Sequence, residues 1–266
     1  MATIVEMINP LTGLPEQVDK LDHTAQEIDD AVGLAPQLSN PNLLDNWYFA
    51  YPVNQRNVSG TIDAVGYFLD RWKLVSGSVT IGSNGITLNG TIVQILEAAV
   101  GTDVTASALT AEGVVVASYD NNSKTISLTG TGQTFVAAKL ELGTHQTLAH
   151  QDANGNWVLN EIPDFGEQLR RCQRYYFKTA SAQWSAYTMR KSDNDYLIDS
   201  CLFPVEMRIT PSVQLLSYRV PTTGAVITAE GDASQITPNG FCIVHDVGKF
   251  TDGVIVQVAF SATADL

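Results

Sequence analysis

The chain has 266 residues, 44% of them hydrophobic, which is enough to bury a sizeable core in one large domain or in a domain with an appendage. Its formal net charge is −13 and only 16% of its residues are charged. Because a nucleic-acid backbone is held by clustered Lys and Arg, we expect no nucleic-acid partner. The many Gly, Ser, Thr and Asn residues are typical of β-rich extracellular or virion proteins.

Three cysteines, Cys172, Cys201 and Cys242, lie far apart and form no C-x-x-C pair, which disfavours both a disulfide framework and a metal site. We expect them to be small buried hydrophobic residues. The N-terminus lacks a basic stretch followed by a long apolar run, and no window approaches about 18 uninterrupted apolar residues. We therefore expect synthesis in the cytoplasm, no signal peptide and no membrane insertion.

Residues 15–33 predict a helix, with Pro15 suited to its first position and Gly33 to its end. Apolar residues spaced three and four apart form one narrow seam on it: Val18, Leu21, Ala25, Ile28 and Val32. Two interpretations compete for this seam, an amphipathic helix packed on its own domain and a short parallel bundle between subunits. We favour the bundle slightly, because an isolated helix of this length is marginal in water. Residues 36–42 contain the Pro, Ser and Asn of a linker.

From Leu43 onward the apolar residues mostly alternate with polar ones, as in β-strands. Asn84-Gly85 and Asn154-Gly155 are hairpin turn signals, and many further short strands follow at close intervals. The prediction for residues 43–266 is a jelly-roll-like antiparallel β-sandwich, preceded by the short coiled-coil-like helix. The alternative to one unit is two subdomains with a boundary near 150–165.

Chemical motifs are few. Asp152–Trp157, "DANGNW", begins like a calcium loop, but its sixth position is Trp157 and its twelfth is Pro163, so we predict a plain hairpin turn. The sequence carries no nucleophile elbow, P-loop or dinucleotide fingerprint. We therefore predict a protein that is not an enzyme, with no catalytic residue, no metal site and no cofactor.

The stretch Phe165–Thr179, "FGEQLRRCQRYYFKT", predicts a short helix followed by a strand. It carries a basic cluster, in which Arg170 and Arg174 share one helix face and Arg171 points elsewhere. In so acidic a chain we expect these arginines to have a structural role, pairing with Asp and Glu of the same or a neighbouring subunit.

A polar stretch further on, "SAQWSAYTMRKSDNDY", offers aromatic and planar polar side chains for a sugar. The candidate glycan-binding residues are Trp184, Tyr187, Arg190, Asp193 and Asp195. The alternative is a strand pair with a half-buried Trp184. We expect Trp47 and Trp72 in or near the core.

Several stretches carry a family resemblance: "NPNLLDNWYFAYPVNQR", "GYFLDRWKL", "TLAHQDANGNWVLNEIPDFGEQLRRCQRYYFKT" and "GVIVQVAFSATADL". Together they resemble virion proteins encoded by phages and prophages of gut bacteria, described as head-fibre, tail-fibre or receptor-binding proteins. The N-terminal "INPLTGLPEQVDKLDHTAQEIDDAV" is similar to short attachment helices of the same proteins. The resemblance covers most of the chain, and its motifs are structural rather than catalytic.

The resemblance implies a short homotrimeric fibre or decoration protein on the virion. Residues 1–35 would attach it to capsid or tail proteins and help it trimerise, and the β domain would face outward toward a host-surface glycan. Whether the head or the tail carries it stays open. The alternative functions are a cellular carbohydrate-binding module and, after it, a glycan-degrading enzyme.

Overall fold

The structure is a computed structural model of the chain. It describes residues 4–8, 15–19, 39–179, 185–187, 196–219, 226–228, 232–246 and 256–266. The chain divides into two units, Met1–Ser39 and Asn40–Leu266. Its described secondary structure is mostly antiparallel β-sheet with one short helix, which confirms the predicted mostly-β class, and the sheets are not closed. Among the described residues no helix is long and apolar enough to span a membrane.

The first unit contains a pair of antiparallel strands, β1 (Ile4–Ile8) and β2 (Pro15–Asp19). The predicted start of a helix at Pro15 is therefore wrong. A strand partner rich in β-branched residues lies only a few positions upstream, and pairing with it satisfies backbone groups that a helix would satisfy internally.

Of the predicted seam, Val18 lies in β2, opposite Val5. Leu21, Ala25, Ile28 and Val32 lie outside the described residues. The seam and the remainder of the predicted helix therefore stay predictions.

The second unit begins with an eight-stranded sheet. Its strands are β3 (Gly60–Ile62), β4 (Gly66–Leu69), β5 (Trp72–Gly82), β6 (Gly85–Ile95), β7 (Val104–Thr110), β8 (Gly113–Val116), β9 (Ser118–Asp120) and β10 (Thr125–Leu142). The order is β3-β5-β6-β10-β7-β8, with β4 also pairing with β5 and β9 with β10. Because β10 inserts between β6 and β7, the sheet is not a simple meander.

The hairpin predicted at Asn84-Gly85 joins β5 to β6, but its turn lies one residue earlier, at Ser83-Asn84, since Gly82 pairs with Gly85. Gly85 has a φ of +135°, and a Cβ atom there would lie 2.2 Å from the carbonyl oxygen of Phe135. The close approach of β10, rather than the turn, requires this glycine.

One face of this sheet buries an apolar core that includes Trp47, Phe49 and Trp72, which confirms the placement expected for the two tryptophans. The Phe49 and Trp72 rings meet edge to face with centroids 5.1 Å apart. The indole N–H of Trp72 donates to the carbonyl oxygen of Asn46 at 2.9 Å, so burial leaves the ring without an unpaired donor.

The chain then forms a small hairpin, a helix and two further sheets. The hairpin strands are β11 (Ala149–Gln151) and β12 (Trp157–Leu159), which confirms the predicted turn between them, and the helix is α1 (Phe165–Gln173). A five-stranded sheet contains β13 (Tyr176–Lys178), β14 (Ser185–Tyr187), β16 (Ser212–Arg219), β17 (Val226–Thr228) and β20 (Val256–Thr263). A three-stranded sheet contains β15 (Tyr196–Leu202), β18 (Asp232–Thr237) and β19 (Gly240–Asp246).

These later sheets have an apolar core of their own, in which Phe203, Phe241 and Phe260 contact one another. Cys172 and Cys201 are buried, as expected, whereas Cys242 is only half-buried. The two cores are separate, and the stretch 150–165, where a boundary between subdomains is predicted, lies between them in the chain.

Helix α1 follows the prediction, with Asp164 at its N-cap accepting a hydrogen bond from the Glu167 backbone N–H at 2.7 Å. Its buried residues are Gln168 and Cys172. Phe165 is 40% exposed and packs against Tyr51. The amide oxygen of Gln168 accepts from the Asn46 backbone N–H at 2.6 Å, so a polar contact rather than an aromatic one anchors the helix.

Buried charges join the two sheet regions. Arg56 donates to Asp265 at 2.5 Å and lies 3.7 Å from the Oδ1 atom of Asp70, which has no hydrogen-bond partner among the described residues. The other oxygen of Asp70 accepts from the Gln55 backbone N–H at 2.8 Å. Burial raises the pKa of Asp70 to about 7, against the lowering effects of the Gln55 hydrogen bond and of Arg56.

This junction predicts a pH dependence of stability. The folded pKa of Asp70 lies above its ordinary value, so between about pH 4 and 7 the folded state holds a proton that the unfolded state has released. The free energy of unfolding should therefore fall as pH rises through this window, by up to about 1.4 kcal/mol per pH unit for this one group. Chemical denaturation at several pH values measures the slope.

The matched variants are Asp70→Asn, which keeps the shape without the charge, and Asp63→Asn at an exposed position. Asp70→Asn should reduce the slope and Asp63→Asn should leave it unchanged. An unreduced slope in Asp70→Asn would contradict the assignment.

Candidate functional site

A cleft of about 850 Å³ opens beside the hairpin of β7 and β8. Its walls come from these strands, from the segment around Tyr119, and from Gln146 and Trp157. We call it the Ser107 cleft. Its lining residues are Gly101, Thr102, Val104, Thr105, Ala106, Ser107, Val114, Val115, Val116, Ala117, Tyr119, Asp120, Asn121, Thr144, Gln146 and Trp157.

Ser107 is the most informative of these residues. It is 2% exposed, and its Oγ atom has no hydrogen-bond partner among the described residues. A buried hydroxyl without a partner costs about 1–3 kcal/mol. The β7 strand places Ser107 opposite Lys139 on one side and Val116 on the other, so its position is set by the sheet register. Because almost none of this atom's surface is accessible, the hydroxyl lies behind the cleft wall and a ligand in the cleft does not reach it.

Trp157 supplies the aromatic part of the wall. A Cβ atom at Gly113 would lie 2.7 Å from the indole nitrogen of Trp157, so the ring occupies space that only a glycine leaves open. Gly113 also has a φ of +136°, where other residues are strained. The half-buried indole N–H has no hydrogen bond to the described part of the chain and is available to a ligand.

Neutral polar side chains complete the cleft, and hydrogen bonds within the chain fix several of them in place. The Tyr119 hydroxyl donates to the Asn121 amide oxygen at 3.3 Å, which also accepts from the Gly101 backbone N–H at 3.0 Å. The Gln146 amide donates to the Ala149 carbonyl oxygen at 2.9 Å. The cleft is therefore preorganised, which lowers the entropic cost of ligand binding.

Asp120 is the one carboxylate among the described lining residues. Its two oxygens accept from the Ser123 hydroxyl at 2.8 Å and the Asn122 backbone N–H at 2.9 Å, and these bonds lower the pKa of Asp120 below its ordinary value. An aromatic wall with neutral hydrogen-bonding groups is suited to a sugar, whose ring packs on an aromatic face and whose hydroxyls both donate and accept.

The structure bears little on the glycan-binding residues predicted from the sequence. Tyr187 ends strand β14, opposite Val256 in β20. Trp184, Arg190, Asp193 and Asp195 lie outside the described residues, so that site stays a prediction. Sequence reasoning missed the Ser107 cleft, although an aromatic residue directly after the polar turn at Asp152 was a usable signal.

The three arginines of the basic cluster each pair with a carboxylate of the same chain. Arg170 pairs with Glu167 on the exposed helix surface. Arg171 binds Asp45 at 2.8 Å and Arg174 binds Glu97 at 3.2 Å. The expected arrangement is thus wrong in one respect, because Arg171 and Arg174, three apart on the helix, face the sheet and Arg170 points away.

Other candidate chemistry is sparse in the part of the chain that the structure describes. It contains no group of three His, Cys, Asp or Glu side chains placed to hold a metal ion. Asp152 caps its own hairpin by accepting from the backbone N–H groups of Asn154 and Asn156, each at 2.8 Å. These bonds lower the pKa of Asp152. The stretch that begins like a calcium loop therefore uses its carboxylate to stabilise the hairpin turn.

No protein-family model, curated protein or solved structure matches this chain.

Proposed function

We propose that this chain is a non-enzymatic surface protein of a phage virion that binds a host-surface glycan in the Ser107 cleft. The half-buried Trp157 ring in a cleft wall whose other polar groups are mostly neutral is the observation that carries the adhesive part of the proposal. The resemblance of the sequence to head-fibre, tail-fibre and receptor-binding proteins supports the virion part. In the same proposal, residues 43–266 form a sandwich of the jelly-roll type.

The chemistry of the cleft favours binding over hydrolysis. Glycosidases use two carboxyl groups on either side of the scissile bond. Here Asp120 is the single carboxylate in the described lining, and both of its oxygens are engaged by neighbouring residues. A carboxylate held in this way with a lowered pKa is a poor general acid, since an acid must be protonated to donate.

The overall charge is consistent with recognition of neutral groups. With a net charge of −13, the chain discourages non-specific adhesion to anionic cell surfaces. Affinity must then come from hydrogen bonds and aromatic packing at a defined site. A cellular carbohydrate-binding module would use the same cleft, and it would be a monomer without the N-terminal assembly segment.

The Ser107→Ala variant tests the effect of the buried hydroxyl on thermal stability separately from any effect on glycan binding. The substitution removes a hydroxyl that pays a desolvation cost in the free protein, so the melting temperature should stay the same or rise. Glycan affinity should stay the same, because an atom with almost no accessible surface makes no contact with a ligand in the cleft. Thermal unfolding and titration with a glycan identified on an array measure the two effects.

The control is Ser118→Ala, an exposed serine outside the cleft, which should change neither quantity. A Trp157→Phe variant keeps an apolar ring but removes the indole N–H, and it should weaken binding about tenfold. Unchanged affinity in Trp157→Phe would reject the cleft as the glycan site.

The homotrimer is part of the proposal and is tested by the mass of the full chain in solution. Each copy carries −13, so apolar burial rather than charge must hold the copies together, and light scattering should give a trimer that high salt does not dissociate. A Leu21→Glu, Ile28→Glu double variant should dissociate it through the predicted seam. A monomeric wild-type chain would instead favour the cellular binding module.

A further inference from the structure

A group of polar contacts joins the eight-stranded sheet to the five-stranded sheet, and we call it the Asp70 junction. On the side of the eight-stranded sheet lie Gln55, Arg56 and Asp70, and on the other side lie Tyr176 and Asp265. The Gln55 side-chain amide donates to the Tyr176 carbonyl oxygen at 2.8 Å, and Arg56 donates to Asp265 at 2.5 Å. None of these residues belongs to either apolar core. The junction can therefore open without exposing a core to water.

The charges of the junction do not balance when both carboxylates are ionised. Asp70 and Asp265 share one guanidinium, that of Arg56, and the exposed fractions of these three side chains are 0%, 8% and 14%. The Oδ1 atoms of both aspartates and the Nε atom of Arg56 have no hydrogen-bond partner among the described residues. Burial without full compensation favours the protonated form of a carboxylate. With one proton on Asp70, the charges of Arg56 and Asp265 cancel.

Other ionisable groups that face the junction do not replace Asp70 as the switch below about pH 8. Burial raises the pKa values of two tyrosines and one thiol nearby, which therefore stay neutral: Tyr67, Tyr176 and Cys172. Burial also raises the pKa of Asp265, which acts in the same direction as Asp70. The cationic neighbours among the described residues are Arg56, Arg71, Lys73 and Arg208, and arginine and lysine do not titrate in this range.

We propose that the Asp70 junction is a pH-operated latch between the two sheets: a proton on Asp70 keeps it closed, and ionisation of Asp70 favours local opening with both cores intact. Burial raises the pKa of Asp70 to about 7 in the closed junction, and water in the open junction returns it toward its ordinary value of about 4. Between these values the closed junction holds a proton that the open one has released. The ratio of open to closed molecules therefore rises by up to about tenfold per pH unit, and it is constant above about pH 7.

Helix α1 keeps the two sheets connected when the latch opens. Arg171 on the helix pairs with Asp45 at 2.8 Å, and the Asp45 backbone N–H donates to Gln94 of β6 at 2.9 Å. At the other end of this connection, the Arg174 carbonyl oxygen accepts from the backbone N–H of Arg208, between β15 and β16, at 2.8 Å. Opening of the latch therefore lets the five-stranded sheet turn about the helix, and pH sets how often it does so.

Hydrogen–deuterium exchange of the full chain measures the opening. The reporter is the Gln55 backbone N–H, which donates to Asp70 at 2.8 Å and loses this bond when water enters the junction. Its exchange rate is followed from pH 5 to 8 and divided by the rate of the same amide in Asp70→Asn, which cancels the pH dependence of the exchange chemistry itself. We expect this ratio to rise by up to about a hundredfold between pH 5 and 7 and then to level off.

Urea, kept below the unfolding transition, separates local opening from global unfolding. Local opening exposes little surface, so the exchange rate of Gln55 should not depend on urea, whereas the amides of β6 should exchange faster as urea rises. Asp63→Asn, at an exposed position, is the matched control and should behave like the wild type at every pH.

Two outcomes would overturn the latch. One is a Gln55 ratio that stays constant between pH 5 and 7. The other is a Gln55 rate that rises with urea in parallel with the rates of β6, because the junction then opens only when the whole domain unfolds. If Asp70→Asn does not fold, division by the rates of an unstructured peptide gives the same comparison for the wild-type chain, with the same two outcomes.

Discussion

The buried ammonium group of Lys139 joins the two parts of the chain that form the Ser107 cleft. Lys139 lies on β10, is fully buried, and donates to the Thr147 carbonyl oxygen at 3.3 Å and to the Thr147 hydroxyl at 3.0 Å. It also binds Glu161 at 3.2 Å and lies 3.7 Å from Glu141. A buried charge persists only where partners replace its water, so these bonds hold the segment from 147 to 161 against the sheet.

The Ser107 cleft depends on that attachment. Ser107 is opposite Lys139 in the strand ladder, while Trp157 belongs to the segment that Lys139 anchors and Gln146 directly precedes that segment. Glu141 strengthens the same contact by accepting from the Thr147 backbone N–H at 2.6 Å and from the Thr147 hydroxyl. One wall of the Ser107 cleft is thus the sheet itself, and the other is fixed to it by a buried ionic network. A rigid cleft of this kind suits recognition without a conformational change.

How far the sequence predicts this molecule depends on the range of each interaction. Alternating patterns and an N-cap act over a few residues, so the β class, helix α1 and its Asp164 cap follow directly from the sequence. The prediction missed the strand at Pro15–Asp19 because its partner strand, Ile4–Ile8, lies outside residues 15–33, from which the helix was predicted. The role of Gly85 depends on Phe135, which is 50 positions away in the sequence, and no local pattern reports that contact. Likewise, nothing in the residues around Ser107 shows that its hydroxyl will be buried without a partner, because that follows from the pairing of β7 with β10.

The most direct measurement of the central claim is a crystal structure of the full chain with a bound glycan selected on the array. We expect the sugar ring to pack on Trp157, with one sugar oxygen accepting a hydrogen bond from the indole N–H at about 2.9 Å. A glycan bound elsewhere, for example around Trp184 and Tyr187, would contradict the proposal.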